Sequence, residues 1–172
     1  MKAREMAIIG MLAALCVIAT FIKIPFGTGA MINLGSGLIF TIAGIFGGVY
    51  AGLAAAIGSA LYDLLMGFSP YTLWSFIIKG VSGLLAGYIT IGMYPNTRQY
   101  KLSRHIIAIL VAATWTLAGY ILAWWQVIGS FTVALANIPA SLLTSLVGLI
   151  IALTLTPMLR KAMIGLLNNK KH

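Results

Sequence analysis

Residues 106–159 read IIAILVAATWTLAGYILAWWQVIGSFTVALANIPASLLTSLVGLIIALTLTPML, and the stretch holds no Asp, Glu, Lys or Arg. One bilayer crossing takes roughly 20 predominantly apolar residues, so the run is long enough for two. It must turn once on the way. Gly129-Ser130 supplies the turn, and Trp124, Trp125 and Gln126 stand just before it, where indole rings favour the headgroup level. A fifth span therefore ends near Gln126, and a sixth runs from about Val133 to Leu159. Asn137-Ile138-Pro139 falls early in that sixth span, where proline leaves backbone carbonyls free and the amide offers both donors and acceptors.

The rest of the 172-residue chain has the same character. Hydrophobic residues make up 61% and charged residues 8%, against about 45–50% and about 25% in soluble domains. So few charges cannot cover a water-facing surface, which excludes a soluble enzyme; the apolar bias excludes disorder. Upstream, spans run from about Arg4 to Ile22, Asn33 to Phe46, Val49 to Met66 and Tyr71 to Met93. Lys23–Gly29, Gly47-Gly48 and Gly67–Pro70 separate them as glycine- and proline-marked breaks. Met1–Arg4 followed by an apolar run has the outline of a secretory leader, but everything after it is equally apolar, so the run reads as a first span that is kept. Long apolar runs without alternation argue against a β-barrel. The expectation is an all-α integral membrane protein with six transmembrane helices, forming a single domain over residues 1–172.

Net charge is +9. Lys2 and Arg4 lie at the start, Arg98, Lys101 and Arg104 in or beside the loop after the fourth span, and Arg160, Lys161, Lys170 and Lys171 at the end. All of these share one side only if the span count is even. Positive-inside then puts both termini in the cytoplasm. No interleaving of aromatic and basic residues points to nucleic acid. The single cysteine, Cys16, excludes an intrachain disulfide and a metal cluster. His105 and His172 are isolated, no Ser-His-Asp set or carboxylate pair occurs, and no phosphate-binding glycine loop is present. No cofactor, no metal and no catalytic set of its own is expected, and energy from ATP would have to come from another chain.

Small residues form stripes. Ala3, Ala7, Gly10 and Ala14 share a face of the first helix; Gly48, Gly52, Ala56 and Ala60 share one of the third; Gly83 and Gly87 stand on the fourth. In lipid such stripes let backbones approach closely. Packing inside the bundle accounts for the third and fourth helices, whereas the first could equally face a partner protein.

Two charges lie deep in the spans, Asp63 and Lys79. Each costs about 2.5–3.5 kcal/mol near a helix centre and so needs a partner or water. They could form a structural ion pair, Lys79 could snorkel, or both could line a polar site open to the outside. Tyr71, Trp74 and Ser75 on the fourth helix, and Tyr120, Trp124, Trp125 and Gln126 on the fifth, could wall a cup for a small flat ring compound. The tryptophans could equally be an interfacial belt.

The run Gly58-Ser59-Ala60-Leu61-Tyr62-Asp63-Leu64-Leu65-Met66-Gly67, the run Ile77–Gly87 and the segment Asn137–Ser141 resemble the substrate-binding S components of energy-coupling factor (ECF) vitamin transporters. So do the six short helices and the stripe on the first. The resemblance covers nearly the whole chain. It implies a bacterial plasma-membrane protein that captures a water-soluble vitamin outside and topples to release it inside. It implies a transmembrane coupling subunit and two cytoplasmic ATPases as partners. It puts Trp74, Ser75, Lys79 and Asn137 among the binding groups, with Tyr120 and Trp124 matching less closely. It makes Ala7, Gly10 and Ala14 the docking face, Gly10 standing where some members have alanine. Within the family, the Asp63 and Lys79 segments look most like the branch for hydroxymethylpyrimidine or pyridoxine, with riboflavin as the main alternative. A self-sufficient small-solute transporter or channel, and a membrane-embedded enzyme or assembly factor, are the other classes the residues allow.

Overall fold

A computed structural model describes residues 2–26, 30–95 and 97–169, with side chains at all of these but 24–26, 30–32 and 163–169. The Gly27-Thr28-Gly29 break and the tail residues Lys170, Lys171 and His172 lie outside the described residues. The elements in order are α1 (Ala3–Phe21), β1 (Lys23–Phe26), β2 (Ala30–Asn33), α2 (Gly35–Phe46), α3 (Gly48–Leu65), a 3-10 turn (Ser69–Tyr71), α4 (Thr72–Thr90), α5 (Leu102–Ile128), α6 (Phe131–Ala136) and α7 (Ile138–Asn169).

Local chemistry sets the ends. At α1 the Lys2 backbone N–H donates to Glu5 Oε2 at 2.9 Å, which satisfies one orphan donor and sets a carboxylate against the positive end of the helix. At α5 the chain stops on Gly129, in the left-handed conformation at φ 76°, as a helix-ending glycine does. Gly47 between α2 and α3 has φ 86°. A Cβ there would also lie 2.9 Å from the Gly92 carbonyl oxygen, so both backbone sign and space require glycine.

Among the described residues five helical stretches are long and apolar enough to cross a bilayer: Ala3–Phe21, Gly48–Leu65, Ser69–Thr90, Leu102–Ile128 and Phe131–Ala162. The sixth apolar helix, α2, has 12 residues and so a length of about 18 Å, well short of a 30 Å hydrocarbon core. It tolerates this because it hardly meets lipid. Gly35, Ser36, Gly37 and Ile39 to Ile45 are all buried, wrapped by α1, α3, α4 and α7. Around it the outward faces carry Met11, Leu73 and Met158, each 69% exposed, the apolar coat a lipid-facing surface needs.

The stripes on α3 and α4 meet each other. A Cβ on Gly83 would lie 2.6 Å from the Ala51 carbonyl oxygen, and one on Gly48 2.8 Å from that of Leu84. Gly37 and Gly148 do the same work between α2 and α7. The stripe on α1 does not: Ala7, Gly10 and Ala14 are exposed, and nothing lies within 4 Å of a Cβ placed on Gly10.

Two expectations need correction. The break after α1 is not a plain loop; β1 and β2 pair antiparallel, Lys23 opposite Asn33 and Phe26 opposite Ala30. Pro25 fits because a two-stranded ribbon has only edges, where a missing N–H is tolerated. The sixth span is not one rod either. It is α6 and α7, parted at Asn137.

Opposite the ribbon, the other end of the bundle is tied shut. Arg160 of α7 donates to the Gly44 carbonyl at 2.8 Å, capping the C-terminal end of α2 with a cation. Its guanidinium lies 5.1 Å from the centre of the Tyr100 ring. The Tyr100 hydroxyl is 2.9 Å from His105 Nδ1, and His105 Nε2 is 3.2 Å from the Phe40 carbonyl oxygen. A carbonyl only accepts, so Nε2 carries the proton and donates to it, and in neutral imidazole Nδ1 accepts from the tyrosine. His105 is fully buried.

Candidate functional site

Between the ribbon and the helix ends lies a cavity of about 460 Å³. It opens where α1, α3 and α5 finish and where α2, α4 and α7 begin. Three helices each give it a face of four-residue period: Ser75 and Lys79 from α4, Thr116, Tyr120 and Trp124 from α5, and Ser141 and Ser145 from α7, with Asn137 one turn ahead at the α6–α7 break. Residues four apart lie on one side of a helix, so each helix contributes a polar stripe without exposing polar groups to lipid.

The α4 and α5 groups form one linked wall. Lys79 Nζ donates to Ser36 Oγ, at the start of α2, at 2.9 Å. The same ammonium stands 5.6 Å from the centre of the Tyr120 ring, within the range of a cation–π contact. The Tyr120 hydroxyl is 3.1 Å from Ser75 Oγ. Trp124 stacks on Tyr120, centroids 5.6 Å apart and planes 27° from parallel. Behind this wall Thr116 Oγ1 lies 2.9 Å from Ser82 Oγ.

On α7's side the break presents Asn137. Its backbone ends α6, and its side-chain Nδ2 donates to the Val133 carbonyl at 2.9 Å. Pro139 follows in the first turn of α7, where a missing N–H breaks no helical bond. The end of α3 supplies Ser59, Tyr62 and Asp63. At the mouth, Lys23 Nζ sits 5.4 Å from the centre of the Tyr62 ring and 6.0 Å from that of Phe68, and the edge of Phe21 meets Tyr62 at 5.1 Å.

Of the expected binding residues, Ser75, Lys79, Tyr120, Trp124 and Asn137 all line this one cavity, and Trp74 does not. Trp74 is half-buried on α4, turned away from Ser75 by one residue. The direct Asp63–Lys79 ion pair is absent. Both residues line the cavity, but the ammonium is taken up by Ser36 and the tyrosine face. The tryptophans divide: Trp124 faces the cavity, whereas Trp125 is 48% exposed and meets Phe131 edge-on at 6.0 Å, as a belt residue does. Sequence reasoning missed Ser36, Tyr62, Ser141 and Thr144. The i, i+4, i+7 spacing of Asn137, Ser141 and Thr144 was the available signal. Among the described residues no group of three or more His, Cys, Asp or Glu side chains could hold a metal.

The family model for the ECF-type riboflavin transporter S component matches residues 1–161. A thiamine precursor transporter, HmpT of Lactococcus lactis, is 29% identical over 146 residues, 84% of this chain and 78% of its own length. An uncharacterised protein of Pyrococcus woesei is 31% identical over 80 residues, 46% of this chain and about half of its own length, 53%. The crystal structure of FolT bound with folic acid superposes with a TM-score of 0.66 over 92% of this chain and 93% of that one, at 20% identity. That last likeness is one of fold.

Proposed function

The chain belongs to the family of ECF-type transporter S components, and on that premise we propose that its cavity captures a flat heteroaromatic vitamin or vitamin precursor, with hydroxymethylpyrimidine or pyridoxine first. As a member it is a multi-pass membrane protein of vitamin-type transport, without catalytic work of its own. One observation carries the substrate reading: a stacked aromatic pair, Tyr120 on Trp124, shares a single cavity with the polar groups Lys79, Ser36 and Asn137. An aromatic surface holds a ring by its face, and convergent donors and acceptors read its edge. Ser75, Lys79, Tyr120, Trp124 and Asn137 act as the binding groups. The thiamine-precursor relative, similar along most of both chains, supports a small ring.

Riboflavin is the second reading, favoured by the matching family model and by size. A volume of about 460 Å³ is roughly fifteen times the ~30 Å³ share of a water molecule, ample for three fused rings. Titration of the detergent-purified protein with hydroxymethylpyrimidine, pyridoxine and riboflavin tests this. Saturable binding of either single-ring compound supports the first reading. Riboflavin alone replaces it, and no response to any removes the heteroaromatic reading.

Residues 1–172 work as one S-component unit. The basic residues Lys2, Arg4, Arg98, Lys101, Arg104, Arg160 and Lys161 belong to the end away from the cavity, so both termini face the cytoplasm and the cavity faces outside. The outward α1 stripe docks on a transmembrane coupling subunit driven by two cytoplasmic ATPases. Uptake into vesicles by the chain alone, with no ATPase present, would instead make it a self-sufficient transporter.

A further inference from the structure

Asp63 is 8% exposed and lines the cavity. Its Oδ2 is shut off from solvent and has no hydrogen-bond partner among the described residues. The hydroxyl of the adjacent Tyr62 is in the same condition. The two cations that line the same cavity are engaged elsewhere, Lys79 by Ser36 and Tyr120, Lys23 over the rings of Tyr62 and Phe68. A buried carboxylate oxygen without a donor is a costly arrangement. Asp63 itself lines the cavity, so a cargo seated there meets this carboxylate.

We propose that Asp63 selects the substrate: its carboxylate takes the N–H of a ring-bound amino or imide group, so the cavity prefers heteroaromatic compounds that carry such a donor. Lys79 and Asn137 stand on the other walls as donors for ring nitrogens or carbonyls. The cargo therefore presents a donor edge to α3 and an acceptor edge to α4 or α7. A compound with a carboxylate or phosphate at the α3 edge would meet Asp63 as a like charge and be rejected. This inference rests on the heteroaromatic reading above and goes beyond it by naming the edge chemistry and the residue that reads it.

The test uses matched ligand pairs on the purified full chain. The first pair is 4-amino-5-hydroxymethyl-2-methylpyrimidine and its analogue with hydrogen in place of the amino group. The second is riboflavin and N3-methylriboflavin, which lacks the imide N–H. Whichever pair binds, the donor-bearing member is expected to bind at least about tenfold more tightly, because a site built around a hydrogen bond rejects the compound lacking it. In Asp63→Ala that ratio collapses towards one, a change that general destabilisation would not produce. A ratio below twofold in the native chain overturns the inference while leaving the heteroaromatic reading intact, and so does a ratio undiminished in Asp63→Ala. If Asp63→Ala does not fold, the native ratios decide alone. If none of the four compounds binds, this inference falls, and the heteroaromatic reading falls with it only if pyridoxine also fails to bind.

Discussion

Lys79 in the middle of α4 gives a hydrogen to Ser36 at the start of α2, across 2.9 Å. The contact fixes a basic side chain midway along one spanning helix against a helix too short to span the bilayer. Ser36 is 4% exposed, so its hydroxyl has little other recourse for a partner.

Removing only the acceptor is therefore the harsher change. Ser36→Ala leaves a buried ammonium short of a partner and should cost about 1.5–3 kcal/mol, seen as a lower Tm in detergent. Lys79→Met removes the charge and fills the space, so stability should hold or rise while ligand binding is lost. A Lys79→Met chain that binds normally would take the ammonium out of the binding set.

Neighbouring tryptophans should behave differently. Trp124→Ala strips the ring stacked on Tyr120 and should weaken vitamin binding by about 1–3 kcal/mol. Trp125→Ala, facing outward, should change affinity by less than about twofold. Equal losses in a titration would mean that both act through the fold.

Glycine positions separate docking from packing. Gly10→Trp has open space around it, so folding and ligand binding should survive and only co-purification with the coupling subunit should fail. Gly83→Ala forces a methyl to 2.6 Å from the Ala51 carbonyl and should lower Tm by several degrees, as close-packed backbones must part. A complex that still forms with Gly10→Trp would leave the α1 stripe without a partner role.

At the far end, Arg160→Ala frees the Gly44 carbonyl and removes the cation over Tyr100. The expected loss is about 1–3 kcal/mol of stability, with ligand affinity unchanged because the cavity lies at the opposite ends of α2 and α7. A large drop in affinity would instead show α2 transmitting strain along its length.

Much of this architecture was legible in the amino-acid order. Apolar runs bounded by glycine and proline located the first five helices to within a few residues, whereas the sixth span, read as one helix ending near Leu159, is broken at Asn137 and runs on to Asn169. The ribbon at Lys23–Asn33 was not legible, since four-residue strands around glycines carry no usable period. Nor was the direction of Trp124 against Trp125, because one step along a helix is a turn of about 100° and the apolar sequence around both gives no preferred face. The Tyr100–His105–Arg160 cluster joins residues from two separate stretches to α2, and only folding brings them together. Asp63 and Lys79 stood out as charges, yet their spacing could not tell a mutual bond from two separate duties at one cavity.

The knot of Arg160, Tyr100 and His105 against α2 bears on how cargo can leave. Beneath the cavity the interior is filled by side chains such as Ile109, Ala112 and Ala152, none more than 1% exposed, and the knot fastens the floor below them. The molecule is built as a bucket and not as a pipe. A substrate in the cavity therefore meets a mouth at the ribbon end and a packed, hydrogen-bonded floor at the other.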